Sequence, residues 1–496
     1  MSLLLLAFIA CLGCRSACAQ NDIVWKAPPV SGWRDAELLD VHGTMDKGLF
    51  RPNAVQVHRA AGPSAPPLLP LGPDLLHLAQ VRPFGVEERV EIGRPGDALT
   101  ILCRPGRAPA GLTLQWPEHR LPAGYKGNWA LVGSSNAPIG IAIVAEGQDA
   151  PVPPAALWTG SSVIFPLSAR REDRVLVLTC PDAGASARID GLAVRPADAA
   201  PPIVSRGTWV WQEGDWSDDP PRFARAAADA GWTELAVQVP QVPGPPLARL
   251  AQALAEKGVM LRLLDGDPAM AGEEGVASTM PRIIRLRRWC EQHLPPGPQP
   301  VLELDIEPYG TSAFAADPAK GWRGWAKAVQ ALAGAWGRPV AVDLPWWMRM
   351  SPGGESALQD ARASIAEVVV MAYRTDPQLI LEAVEPWLAG DDVAIRVAIE
   401  AGPVASEVTR TYRRAAHGTL RTSDAAVEIL DLPRMAQADE AVFELVEEIA
   451  TAPARISFHD SPSTARETEA ALLPSLAAWP SYAGFRIHGW APRPGG

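Results

Sequence analysis

The chain has 496 residues, of which 47% are hydrophobic and 20% charged, with a formal net charge of −11. That composition excludes a disordered chain and a membrane-embedded bundle. The acidic balance excludes nucleic acid as a partner, because phosphate binding needs a basic surface. A single core rarely grows beyond roughly 250–300 residues, so two domains are expected. Trp occurs 18 times against 5 Tyr, a bias that serves packing and also suits clefts in which sugar faces stack on indole rings.

The chain opens MSLLLLAFIACLGCRSACAQ. Its apolar run, residues 3–12, is too short to span a bilayer as a helix. Ala17-Cys18-Ala19 before Gln20 fits the small-residue cleavage pattern of a secretory signal. Residues 1–19 therefore read as a signal peptide, and the protein as exported, periplasmic or extracellular. Ile9-Ala10-Cys11 and Leu12-Gly13-Cys14 resemble the end of a lipobox, so membrane attachment is expected only through a lipidated N-terminal Cys. After a cut at Ala19, Cys103, Cys180 and Cys290 remain. TILCRP and LVLTCPD both read as strands of one early region, so Cys103 and Cys180 are either a disulfide or two buried thiols. There is no C-x-x-C and no His/Cys cluster, and neither metal nor cofactor is expected.

Residues 40–200 are rich in Pro and Gly and carry short apolar runs at 99–103, 139–144, 163–166 and 175–178, separated by turn signals. This predicts a β-sandwich. It closes with ARIDGLAVRP, which resembles the last strand of carbohydrate-binding sandwiches, and ADAAPP follows as a linker.

From residue 203 to 496 the rhythm changes. The runs GTWVW, TELAVQV, VMLRLLD, VLELDIE, PVAVDLP, EVVVMAY and VAIRVAIE alternate with helical segments, and AGFRIHGW ends the series. Eight strands alternating with helices predict a (β/α)8 barrel. ISFHD, residues 456–460, is assigned to an elaborated loop after the seventh strand.

Strand alternation then sorts the polar residues. In VLELDIE the apolar residues face the helices, so Glu303, Asp305 and Glu307 face the lumen. The same reading turns Trp209, Trp211, Gln238, Asp265, Asp343, Tyr373, Arg396, Glu400, Arg486, His488 and Trp490 inward. Glu303 is expected to be a buried anion neutralised by Arg396. Asp265, Glu307, Asp343, Tyr373, Glu400 and His488 fall at the C-terminal ends of six strands, the rim that carries the active site of barrel enzymes.

VLELDIEPY resembles the fourth strand of the family-18 chitinases, which ends D-x-D-x-E, with Glu303 in place of the first Asp. VVVMAYR resembles the M-x-Y-D motif of that family's sixth strand, with Tyr373 kept and Arg374 in place of Asp. Glu307-Pro308 and Glu400 are similar, less closely, to the acid and nucleophile of the glycosidase clan with Glu on strands four and seven. The blocks LDIEPY, AVDLPWW, VVVMAYR, VAIEAG and AGFRIHGW, in this order, also look like a group of uncharacterised bacterial barrels with a presumed glycosidase-like role.

These resemblances imply a glycoside hydrolase acting on an oligo- or polysaccharide. Glu307 would be the general acid/base, Asp305 would tune it, and Glu400 would be nucleophile or base. Should Asp305 and Tyr373 cluster around Glu307 instead, a substrate acetamido group would be the nucleophile. Trp209, Trp211, Trp346, Trp347 and Trp490 would form stacking walls, with Trp490 as the floor of the sugar subsite. The rival reading is a polysaccharide-binding or exopolysaccharide-assembly protein without turnover.

Overall fold

In the computed structural model the described residues are 23–27, 29–30, 32–58, 74–76, 79–115, 128–145, 153–166, 174–196, 205–294, 299–311, 313–314, 317–390 and 393–490. The expected signal peptide and the ADAAPP linker lie outside them. Eight parallel strands close into a barrel: Ser205–Val210, Glu234–Gln238, Met260–Asp265, Val301–Leu304, Val340–Pro345, Ile365–Met371, Ala394–Glu400 and Tyr482–His488. A helix lies between each consecutive pair, giving seven among the described residues. Helix ends follow local rules. In Pro318–Trp336, Asp317 caps the Lys320 amide at 2.8 Å, Pro318 begins the first turn, and Gly337 closes the last in the left-handed region.

The lumen is layered. Toward the N-terminal ends of the strands lie three carboxylates, Glu234, Glu303 and Glu367, and three guanidiniums, Arg262, Arg396 and Arg486, all buried. Arg262 donates to Glu303 through Nε at 2.8 Å and to Glu367 through Nη2. Arg486 grips Glu303 through both terminal nitrogens and reaches Glu234 at 3.0 Å. Arg396 lies 2.7 Å from Glu367 and 3.2 Å from Glu234.

The expected Glu303–Arg396 pair is therefore replaced. Barrel strands are staggered, so equal places in the alternation are not equal heights. Arg396 aligns with Val369 and Gly484, within reach of Glu367 and Glu234. Above the ions sits an apolar layer of Trp209, Ala236, Leu264, Val369 and Ala398.

Two antiparallel sheets accompany the barrel. One has eight strands between Gln80 and Pro196. Cys103, ending Leu99–Cys103, and Cys180, just after Arg174–Thr179, are joined there by a disulfide with Cα atoms 5.5 Å apart.

The second sheet joins two distant parts of the chain. The segment after the seventh barrel strand is not a plain loop. It forms the strands Ser406–Ala415, His417–Thr422, Val427–Met435 and Ala441–Thr451. These pair with Ile23–Ala27, Leu38–Asp46 and Leu49–Val57 from the beginning of the chain. Alternation decides which face of this sheet is buried. Leu39, Val41 and Val55 meet Tyr412, Leu420, Ile429 and Phe443 on one buried face.

Removing one member of a buried ionic group leaves its partners uncompensated, at a cost of about 3–5 kcal/mol. Arg486→Met is expected to lower the unfolding free energy by that amount in urea denaturation. Arg410→Ala, which breaks a partly exposed pair with Glu448, should cost less than about 1 kcal/mol. Burial opposes ionisation of Glu303, but Arg486 and Arg262 hold its carboxyl down at about 2. Its stabilising contribution is thus complete above the unfolded value of about 4.3 and lost as pH falls toward the folded one. Glu303→Gln should flatten that acid limb.

Candidate active site

The rim above the apolar layer carries Asp305 and Glu307, just past the fourth strand, Asp343 in the fifth, Tyr373 just past the sixth, Glu400 ending the seventh and His488 ending the eighth. Trp209 connects this rim to the ionic layer. Its Nε1 donates to Glu303 at 2.9 Å and to Asp343 at 3.0 Å, and the Arg486 guanidinium lies over its ring at 5.0 Å. Trp209 is 3% exposed, so it plugs the lumen rather than offering a wall for stacking.

Asp305 and Asp343 are neutral-leaning carboxyls. Burial pushes Asp305 well above the ordinary carboxylate range, and Glu307 and Glu303 add to the shift. Asp343 is raised first by burial and then by Glu303 and Asp305. Oδ1 of each is buried with no hydrogen-bond partner among the described residues. A retained proton resolves that cost, since a neutral carboxyl is far cheaper to bury than a carboxylate. Burial thus favours the neutral form of Asp305, two residues from Glu307.

Tyr373 stands among the acids. Burial raises its phenol well above the usual value, and Glu400, Asp305, Glu307 and Asp343 add to this in that order. Its hydroxyl therefore stays a donor at every physiological pH. The Tyr309 hydroxyl donates to Oε1 of Glu307. Tyr309, Glu234, Arg262 and Glu367 were not singled out from the sequence. Glu234 and Glu367 share the alternation of Gln238 and Tyr373 and were legible on that basis. Arg262 was hidden because taking Asp265 as inward forces Arg262 outward.

Glu400 is held at both oxygens. Oε1 accepts from the Gly402 amide at 2.5 Å, and Oε2 lies 2.7 Å from His488 Nδ1. The other imidazole nitrogen, Nε2, lies 3.2 Å from Trp211 Nε1. An indole N–H can only donate, so Nε2 accepts and the His488 proton sits on Nδ1, donated to Glu400. The His488 ring also stacks on Tyr373 at 6.5 Å and meets the Trp209 edge at 5.7 Å. The insertion returns at this point. Ser457 Oγ donates to the Gly402 carbonyl at 2.5 Å, and the Phe458 amide donates to the Glu400 carbonyl at 2.9 Å.

Two expected members lie elsewhere. Asp265 is ion-paired to Arg282 on helix Glu273–His293. Its neighbour Leu264 takes the lumen place, because the buried Arg262 must meet Glu303 and this sets the parity of the strand. Trp490 leaves the mouth. Gly489 adopts φ +84, which breaks the alternation. Trp490 then packs on Phe223 and Trp232 in the helix layer, with ring centroids 5.8 and 6.0 Å away. A Cβ on Gly489 would come within 2.2 Å of the Gly402 nitrogen, so the turn requires glycine. Trp346 is half-buried beneath the Arg374 guanidinium at 5.6 Å. Trp347 meets Tyr309 at 5.1 Å.

No protein-family model and no curated protein matches the chain. Among solved structures it is similar to the spore cortex-lytic enzyme SleL of Bacillus megaterium, at 10% identity over 61% of this chain and 74% of that one, with a TM-score of 0.31. It is similar to the GH99 endo-alpha-mannosidase of Bacteroides thetaiotaomicron, at 11% identity over 55% of this chain and 66% of that one, with a TM-score of 0.30. A D-allulose 3-epimerase from Methylomonas sp. aligns at 17% identity over 42% of this chain and 77% of that one, with a TM-score of 0.29. Likenesses of this size leave the activity to be read from the site itself.

Two outcomes follow from this geometry. Long-range proton–nitrogen NMR should find His488 as the Nδ1–H tautomer, and Trp211→Phe should keep it, because the Glu400 carboxylate still takes the Nδ1 proton. A raised folded value means that stability linked to Asp343 is complete below about 3.9 and lost as pH rises through the folded value. Asp343→Asn should therefore gain stability over the wild-type protein at pH 8 but not at pH 4, read from urea denaturation at both.

Proposed function

We propose that the chain is an exported glycoside hydrolase that cleaves a polysaccharide carrying 2-acetamido sugars, with Glu307 as general acid and then base. The observation that carries this reading is the grouping of Asp305 and Tyr373 with Glu307 at the rim, while Glu400 is bonded at both oxygens and 4% exposed. A carboxylate so occupied is poorly placed to attack a sugar carbon. The nucleophile in this reading is the carbonyl oxygen of the substrate's own acetamido group.

Glu307 protonates the glycosidic oxygen as the C1–O bond breaks and the acetamido oxygen bonds to C1. Tyr373, a permanent donor, holds that oxygen. Asp305 accepts from the acetamido N–H and holds that group in place for attack. Water then opens the cyclic intermediate, with Glu307 taking its proton, and the product retains its configuration. Trp211, oriented by His488, and Trp346 under Arg374 would flank the sugar. The small-residue cleavage pattern and the Cys103–Cys180 disulfide support export, because disulfides persist in oxidising compartments.

A second reading, saccharide binding without turnover, is favoured by one observation: Glu400, the second carboxylate that a paired-carboxylate reaction needs, is bonded at both oxygens. Glu307→Gln separates the two. A hydrolase should lose at least about 100-fold in kcat on acetamido oligosaccharides while keeping its affinity. A binder has no turnover to lose, and unchanged turnover would remove Glu307 from the reaction.

A further inference from the structure

We infer that Tyr309 is the positioning residue that decides which oxygen of Glu307 carries the transferable proton. The inference rests on the reading of Glu307 as the acid. Directly after Glu307 the residues Pro308–Gly310 form one tight turn. The turn brings the Tyr309 ring back beside the residue two places earlier, and the hydroxyl donates to Oε1 of Glu307.

The ring has little freedom. Trp347 meets it edge-on at 5.1 Å, Trp322 lies at 6.2 Å and Phe314 at 6.4 Å. Trp322 is itself fully buried, and its Nε1 donates to Ser351 Oγ at 2.9 Å. An aromatic box built from helix Pro318–Trp336 and the loop after the fifth strand thus aims one phenol at one carboxyl oxygen. Burial, and next Glu307 itself, push the Tyr309 phenol well above its usual value, so it remains a donor throughout the reaction cycle.

Two consequences follow. Oε1 already accepts a hydrogen bond, so a proton on Glu307 resides on Oε2, the oxygen left for the leaving group. The same bond is kept by the carboxylate left after transfer. Without the hydroxyl, the carboxyl can rotate and either oxygen can hold the proton.

Tyr309→Phe tests this because it keeps the ring and its three aromatic neighbours. In the full-length protein kcat on acetamido oligosaccharides should fall by about tenfold or more, with KM within about twofold. A crystal structure of Tyr309→Phe should show the Glu307 carboxyl rotated from its wild-type position, since the bond that fixes Oε1 is gone. An unmoved carboxyl overturns the proposal whatever the activity does, and so does a rotated carboxyl with unchanged kcat. Full turnover in Glu307→Gln would instead sink the assignment of the acid. In that case a rotated carboxyl would still show that Tyr309 holds Glu307.

Discussion

The rim of this barrel depends on the neutralisation of three buried carboxylates by three buried guanidiniums lower in the lumen. Glu234, Glu303 and Glu367 face Arg262, Arg396 and Arg486 in a volume that a barrel ordinarily fills with branched apolar side chains. Such an arrangement is tolerable only when each charge has its partners. It also explains the acids above it. Glu303 is fully ionised and contributes to raising Asp305 and Asp343, while Trp209 relays the layer to Asp343 through one indole N–H. Burial raises both acids first, and the ionised layer beneath adds to the shift.

Much of this was legible in the sequence, because a strand's two-residue period is rigid over five or six residues. The barrel, the inward run Glu303-Asp305-Glu307, and the rim places of Asp343, Tyr373, Glu400 and His488 all follow from it. The errors occur where the period stops being the controlling constraint. Asp265 ends its strand, and the parity there is decided by Arg262 needing Glu303 across the lumen. Trp490 lies one residue past a glycine in the left-handed region, and a single positive φ sends the indole to the opposite side. The Glu303–Arg396 pairing failed because stagger between strands is a property of the closed barrel and not of any one segment.

The composite sheet was illegible for a similar reason. Strands 38–46 and 406–415 are separated by the whole barrel up to its seventh strand, and alternation within each says nothing about its partner. Its placement bears on the site. The insertion leaves the barrel at Gly402 and rejoins it at Ser457, the two residues bonded to each other beside Glu400. Glu400 is thereby tied to the insertion as well as to His488. This favours a role in holding the rim together over attack on substrate.

Cleavage of a glycosidic bond by the acids gathered around Glu307 and Tyr373, with help from the substrate's acetamido group, is the proposed reaction. It is tested most directly by proton NMR of the first-formed anomer during cleavage of matched oligosaccharides with and without the 2-acetamido group. Retained configuration and turnover confined to the acetamido substrate are expected. An inverted product, or equal turnover of the substrate lacking the acetamido group, would contradict it.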